Sequence, residues 1–258
     1  MTEDRIQLRI AGCTDTGNHR QENEDHIGYN QELGIAVLAD GMGGHQSGEI
    51  AAHMAVETVL DKLRMVARRQ NTRPITSSQL LEVLSNTISH SNDMIFQAAE
   101  ALKQHRGMGT TVVAVMTLDS TLVAGHVGDS RLYLFRNQKL RRVTKDHSLV
   151  QDLIDKGFYT EEEAKAASVG HIVTRALGSK ESVDVDTTEL ALEQGDLLLL
   201  CSDGLTDMVP DWQIEEMLND RGDASLELAS QALVDRANCN GGRDNVSVIL
   251  LQVDRGMQ

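Results

Sequence analysis

Proline, cysteine and aromatic residues are all scarce in this chain: two prolines and three cysteines in 258 residues, with aromatics at 3%. So few prolines, with no Gly/Ser tract or low-complexity run, leave nothing that reads as an interdomain linker. A single domain over residues 1–258 is therefore expected. Cys13, Cys201 and Cys239 are widely spaced, odd in number and without a CxxC pair. That pattern argues against a disulfide framework and fits reduced thiols in the cytoplasm. No apolar run approaches the roughly 18 residues that a membrane helix requires. The first residues, Met1-Thr2-Glu3-Asp4-Arg5, lack a basic segment leading into an apolar one, so no signal peptide is expected. Positive charge is scarce too, with 24 Lys and Arg against 39 Asp and Glu, a formal net charge of −15. Such a field repels phosphate backbones and anionic lipid, so neither nucleic acid nor membrane is an expected partner.

What the chain does have is aspartate at the ends of apolar runs. Ile35-Ala36-Val37-Leu38-Ala39 leads into Asp40 and the glycine-rich Gly41-Met42-Gly43-Gly44-His45. Leu197–Cys201 leads into Ser202-Asp203-Gly204, and Leu122–Val127 into Gly128-Asp129-Ser130-Arg131. Asp244-Asn245 directly precedes the run Val246–Leu251. Desolvating a carboxylate costs several kcal/mol unless a cation or hydrogen bonds compensate. Four aspartates in this setting point to a metal site.

The periodicities describe an α+β protein. Alternation at Ile6, Leu8 and Ile10 predicts a half-buried strand, followed by a polar loop from Thr14 to Asn23 and then the strand ending at Asp40. Ser47 is placed to cap a helix carrying Ala51, Ala55, Val59 and Leu63, with a connector from Ala67 to Ser78. A second helix carries Leu81, Leu84, Ile88, Ile95, Ala99 and Leu102 on one side. Hairpins are expected through Asp119-Ser120 and Asn137-Gln138. Residues 148–178 break the strand rhythm with short helical pieces around Leu149–Lys156 and Thr160–Ala167. The Leu197–Cys201 strand, helices near Asp211–Asn219 and Ala224–Asn238, and a final strand complete the chain. Hairpin-joined strands and paired helices argue for antiparallel sheets covered by helices. In such sheets Asp40 and Asp203 at strand ends and Asp244 before a strand can share one edge.

Aspartates without nearby His/Cys pairs suit hard cations, Mg²⁺ or Mn²⁺, rather than zinc. The glycine after Asp40 makes the Gly41 carbonyl a further candidate ligand. Two cations about 3.5–4 Å apart activate a bridging water for in-line attack. The substrate anion then needs a cationic anchor, and Arg20 in the loop 15–25 is the candidate, since guanidinium pairs with phosphate in bidentate fashion.

The segment Asp15-x-Gly17-x-x-Arg20-x-x-Asn23-Glu24-Asp25 resembles the opening motif of the PP2C (PPM) family of metal-dependent Ser/Thr protein phosphatases. Ala39-Asp40-Gly41-Met42-Gly43-Gly44-His45 is similar to its bacterial branch. Gly109-Thr110-Thr111, Gly128-Asp129-Ser130-Arg131, Ser202-Asp203-Gly204 and Asp244-Asn245 follow in family order. The resemblance implies an antiparallel β-sandwich flanked on both sides by pairs of antiparallel helices. It implies Asp40 bridging two Mn²⁺ or Mg²⁺ ions, with Asp203 and Asp244 completing one site. The Gly41 carbonyl, with Glu24 or Asp25, completes the other. Asp129 with Asp203 matches a third-metal position; the alternative for Asp129 is a salt bridge to Arg131 or a turn cap. Arg20 would hold the phosphoryl group, and residues 148–178 would form a flap beside the site. Phosphorylated proteins, including a Ser/Thr kinase or its substrates, are the implied partners of a cytoplasmic monomer. Met42 stands where animal members have the His assigned as general acid, which leaves that role open between His45 and metal-bound water. His126 and His147 are expected to be structural.

Overall fold

A computed structural model describes residues 7–43, 47–70, 74–101, 107–160, 163 and 172–254. Its strands are β1 (Gln7–Asp15), β2 (Asp25–Asn30), β3 (Ile35–Met42), β4 (Gly109–Thr110), β5 (Val112–Leu118), β6 (Thr121–Val127), β7 (Arg131–Arg136), β8 (Lys139–Arg142), β9 (Asp186–Ala191), β10 (Leu197–Cys201) and β11 (Val246–Asp254). Its helices are α1 (Ser47–Gln70), α2 (Ser77–Ala101), α3 (Leu149–Asp155), α4 (Asp203–Thr206), α5 (Asp211–Asp220) and α6 (Leu226–Cys239).

The strands form two sheets, ordered β1-β11-β10-β7-β8 and β2-β3-β5-β6-β9, with β4 pairing β3 at one end. Their ladders are antiparallel, as the hairpins require. Asp119 (φ 51°) turns β5 into β6, and Asn137 (φ 51°) with Gln138 (φ 62°) turns β7 into β8. Two consecutive left-handed residues match the right-handed twist of the flanking strands.

Period-2 alternation sorts each central strand between two cores. Ala36 and Leu38 join Val113, Val115, Leu198, Leu200, Ile249 and Leu251 between the sheets. Ile35, Val37 and Ala39 face α1 and α2 instead. The outer face of the other sheet, with Leu199, Val248 and Leu250, is covered by α5 and α6. The result is helix–sheet–sheet–helix, with three apolar layers and strands buried on both faces.

On α1, Ala51, Ala55, Val59 and Leu63 are all fully buried, as their spacing predicts. Other boundaries differ. The 67–78 connector shrinks because α1 runs to Gln70 and α2 starts at Ser77. Leu80 is fully buried with Leu84, Ile88 and Ile95, because the buried stripe runs at i, i+4, while Leu81 packs against the same core from its partly buried margin. Strands β2 and β9 emerge where no alternation announced them; their outward residues are partly exposed edge positions. Leu102 and most of the expected 160–167 helix lie outside the described residues, and the 148–178 region is described only in part.

Candidate active site

The apolar layer between the sheets ends, at one edge, in a layer of polar groups set by strand parity. Extending the inward-facing positions of each strand by two residues gives Asp40 from β3, Thr111 before β5, Ser130 before β7, Ser202 after β10 and Ser247 in β11. Asp25 on β2 lies opposite Asp40 in the antiparallel register. These groups hold one another. Thr111 Oγ1 accepts from the Asp40 amide at 3.0 Å and lies 2.7 Å from Ser130 Oγ. Ser202 Oγ donates to Asp25 Oδ2 at 2.8 Å and accepts from the Ser247 amide at 3.0 Å.

Two placements differ from the expectation of strand-terminal aspartates. Strand β3 continues through Asp40 to Met42, because Gly41 and Met42 pair with β4. Asp203 opens the helical turn α4 behind the capping position Ser202. Both still project at the same edge. Asp40 is surrounded electrostatically by Asp25, Asp203, Asp129 and Asp244.

Charge crowding is the site's dominant physical property. Burial pushes the Asp25 carboxyl up to about 6, with Asp244 adding to the rise and the Ser247 and Ser202 hydroxyls opposing it. Asp129 is pushed up to about 6 by burial and then by Asp146. Asp40 and Asp203 are raised well above the usual carboxylate range, first by desolvation and then by the neighbouring negative charges. Like charges this close stabilise one another only when protons or cations sit among them. Asp25 Oδ1 is also buried without a hydrogen-bond partner among the described residues. A buried acceptor left open among four other carboxylates fits an oxygen-ligated cation.

The remaining predicted residues gather at the rim. Arg20 Nη2 pairs with Asp244 Oδ2 at 2.7 Å, and both side chains are part-exposed. The Gly48 amide donates to the Glu24 carboxylate, and partial burial raises its carboxyl. Its backbone carbonyl accepts from the Gly41 amide at 3.1 Å. A Cβ on Gly41 would collide with the Gly48 backbone, so only glycine lets the segment after Asp40 pass so close to α1. The competing salt bridge for Asp129 is absent from the described contacts; Arg131 instead makes a bidentate pair with Asp146, Nη2 to Oδ2 at 2.7 Å. The negative charge of Asp129 adds to the rise of the Asp203 carboxyl. His45 lies outside the described residues.

The profile of the protein phosphatase 2C family matches residues 12–236. The chain belongs to the protein phosphatase 2C family. It is 39% identical to the serine/threonine phosphatase stp of Listeria monocytogenes over 244 residues, 93% of this chain and 94% of that protein. The serine/threonine phosphatase PstP/Ppp of Mycobacterium tuberculosis superposes with a TM-score of 0.86 at 34% identity, over 97% of this chain and 100% of that one. A PstP catalytic domain in complex with two manganese ions gives a TM-score of 0.83 at 33% identity, over 96% and 99%.

Several groups that do not stand out in the sequence hold this cluster together. Asn245 Oδ1 accepts from the Glu24 amide at 2.8 Å, while its Nδ2 donates to the Thr16 and Glu22 carbonyls at 3.0 and 2.9 Å. One amide side chain thereby fixes the loop that carries Arg20. Ser202, Ser247, Thr111 and Ser130 each sit two residues beyond an inward apolar position, a signal that appears once the strand parity is fixed. His147 Nδ1 accepts from the Gly128 amide at 3.1 Å, and its ring stacks on His126 with centroids 4.6 Å apart.

Proposed function

We propose that this protein removes phosphate from phosphoserine and phosphothreonine in proteins, using two divalent cations, Mn²⁺ or Mg²⁺, with a third position available. The observation that carries the reading is the inward-facing carboxylate cluster built around the Asp25–Asp40 pair, with its open buried acceptor. Asp40, Asp203 and Asp244, Asp25 and the Gly41 carbonyl are the residues that would hold the two cations. Asp129 with Asp203 would hold the third. Between Glu24 and Asp25, the burial of Asp25 against Asp40 favours Asp25 as the direct ligand, with Glu24 bracing the α1 side through Gly48. When bound, such cations lower the pKa of a coordinated water and neutralise charge on a phosphoryl group.

The chain's own residues do the rest. Arg20 is anchored on Asp244, at the rim, where its guanidinium can swing to phosphate oxygens in bidentate fashion. Asn245 holds the Arg20 loop in register with the carboxylates. The Ser202 hydroxyl keeps Asp25 oriented, and Thr111 does the same for the Asp40 backbone. Residues 1–258 act as one catalytic unit and as a monomer. The substrates are phosphoproteins in the cytoplasm, including a Ser/Thr kinase or its targets. Among the described residues no helix is long and apolar enough to cross a membrane.

The test is hydrolysis of a phosphothreonine peptide and of p-nitrophenyl phosphate with Mn²⁺ and with EDTA. Cation-dependent turnover of the peptide supports the reading. Turnover of the small ester alone restricts the site to small substrates, and no turnover of either in the cation-loaded protein overturns it.

A further inference from the structure

On the other side of β2 from Asp25 lies a second group of potential ligands that the phosphatase site does not use. Asp25 and Ile27 face the opposing sheet, so His26 and Gly28 face α1. A side chain at Gly28 would run into Val56 and Leu60 of α1. The missing side chain therefore lets the helix lie close against the strand. One turn earlier on α1, His53 meets His26, with Nδ1 and Nε2 3.3 Å apart and ring centroids 4.7 Å apart at 84°. Glu57 follows His53 at i+4 on the same helix face. One ligand atom from each of the three lies within 4.8 Å of the others.

We propose that His26, His53 and Glu57 form a separate cation site, for zinc or another imidazole-preferring divalent metal, that clamps α1 to β2. Zn–N bonds of about 2.0–2.1 Å at tetrahedral angles set two nitrogens about 3.3–3.4 Å apart. The His26–His53 separation already has that value. Two imidazoles and one carboxylate form a set that suits zinc, nickel or cobalt and discriminates against Mg²⁺ and Mn²⁺. His53 and Glu57 are exposed, so the ion has a path in and room for water as a fourth ligand. Glu49, one turn before His53, adds a second carboxylate on the same stripe of α1, near His26. Binding needs no new backbone geometry, because only the proton shared between the two rings has to leave.

The other histidine group in the fold, His126, His147 and Asp186, shows what excludes a metal. There His147 Nδ1 already accepts from the Gly128 amide, so its Nε2 carries the proton that faces Asp186 at 3.2 Å. The Arg175 guanidinium fills the same space, 3.0 Å from Asp186 and 3.4 Å from His147. A cation has neither a free lone pair nor a charge vacancy at that position. At His26 and His53 the two facing nitrogens meet each other instead.

The clamp stands independently of the phosphatase reading, and its test does not rely on turnover. Zn²⁺ is titrated into ¹⁵N-labelled full-length protein held in excess Mg²⁺, following histidine ring nitrogens by long-range ¹H–¹⁵N spectra. At one equivalent, one ring nitrogen each of His26 and His53 moves to a metal-ligand position. By calorimetry under the same conditions, His53→Ala weakens that binding at least about 100-fold, since loss of an outer-shell group alone costs 10–100-fold. Zn²⁺ uptake that leaves both rings unmoved, or that is unchanged in His53→Ala, overturns the proposal.

Discussion

Asp25 and Asp40 sit directly across from each other in the β2–β3 ladder, both facing the interior of the sandwich at the edge where its apolar layer ends. Opposed like charges across a ladder destabilise a sheet, and here burial removes the water that would screen them. The pair is tolerable in the folded chain only with protons or cations between its oxygens.

The first concerns which carboxylate holds the ion. Asp25→Asn removes a buried ligand facing Asp40, whereas Glu24→Gln changes a side chain turned to the Gly48 amide. Calorimetric titration with Mn²⁺ is expected to show at least about 100-fold weaker binding for Asp25→Asn, and a loss within about 10–100-fold for Glu24→Gln. The reverse order would make Glu24 the ligand.

The second concerns support. Ser202→Ala deprives Asp25 of its hydroxyl donor and leaves the buried Ser247 amide without its acceptor. Leaving one buried partner unpaired costs about 1–3 kcal/mol. Urea unfolding in the presence of Mg²⁺ should show that loss, with the slope unchanged.

These supporting groups show what the sequence made legible. Aspartates beyond Leu38, Leu200 and Val127 were visible because long apolar runs make a carboxylate conspicuous. Small hydroxyls in the same layer, Thr111, Ser130 and Ser202, carry no such contrast and gained roles only once strand parity was known. Leu80 and Leu81 are adjacent on a helix, and a shift of one position in phase separates the centre of the buried stripe from its partly buried margin. The His26–His53 meeting was illegible for a different reason: the residues are 27 apart in sequence and are brought together by β2 packing on α1.

The third prediction is a pH dependence. The ordinary Asp value is 3.8, and Asp25 and Asp129 are pushed up to about 6, with Asp40 and Asp203 raised as well. Between those values the folded, metal-free protein keeps protons that the unfolded chain has released. The cluster's contribution to stability is therefore full below about pH 4 and is lost as pH rises through about 6. Cations replace those protons at high pH. The increase in Tm on adding Mn²⁺ should be larger at pH 7.5 than at pH 5, as read by calorimetry.

The fourth concerns Gly41. Its Cβ in Gly41→Ala would collide with the Gly48 backbone, forcing the Asp40 segment away from α1. Mn²⁺ affinity should fall at least about 10-fold, by analogy with outer-shell changes, with far-UV circular dichroism retained. An unchanged affinity would show that the close approach is not needed for the site.

The central claim is that the Asp25–Asp40 pair exists to hold cations that drive phosphate-ester hydrolysis. Asp40→Asn tests it most directly. The substitution keeps the size of the side chain and relieves the charge crowding, so the metal-free protein should unfold at a higher temperature at pH 7.5. Mn²⁺-dependent hydrolysis of a phosphothreonine peptide should fall by at least about 100-fold in the same protein. A variant that is destabilised when metal-free, or that keeps its Mn²⁺-dependent turnover, would contradict the account.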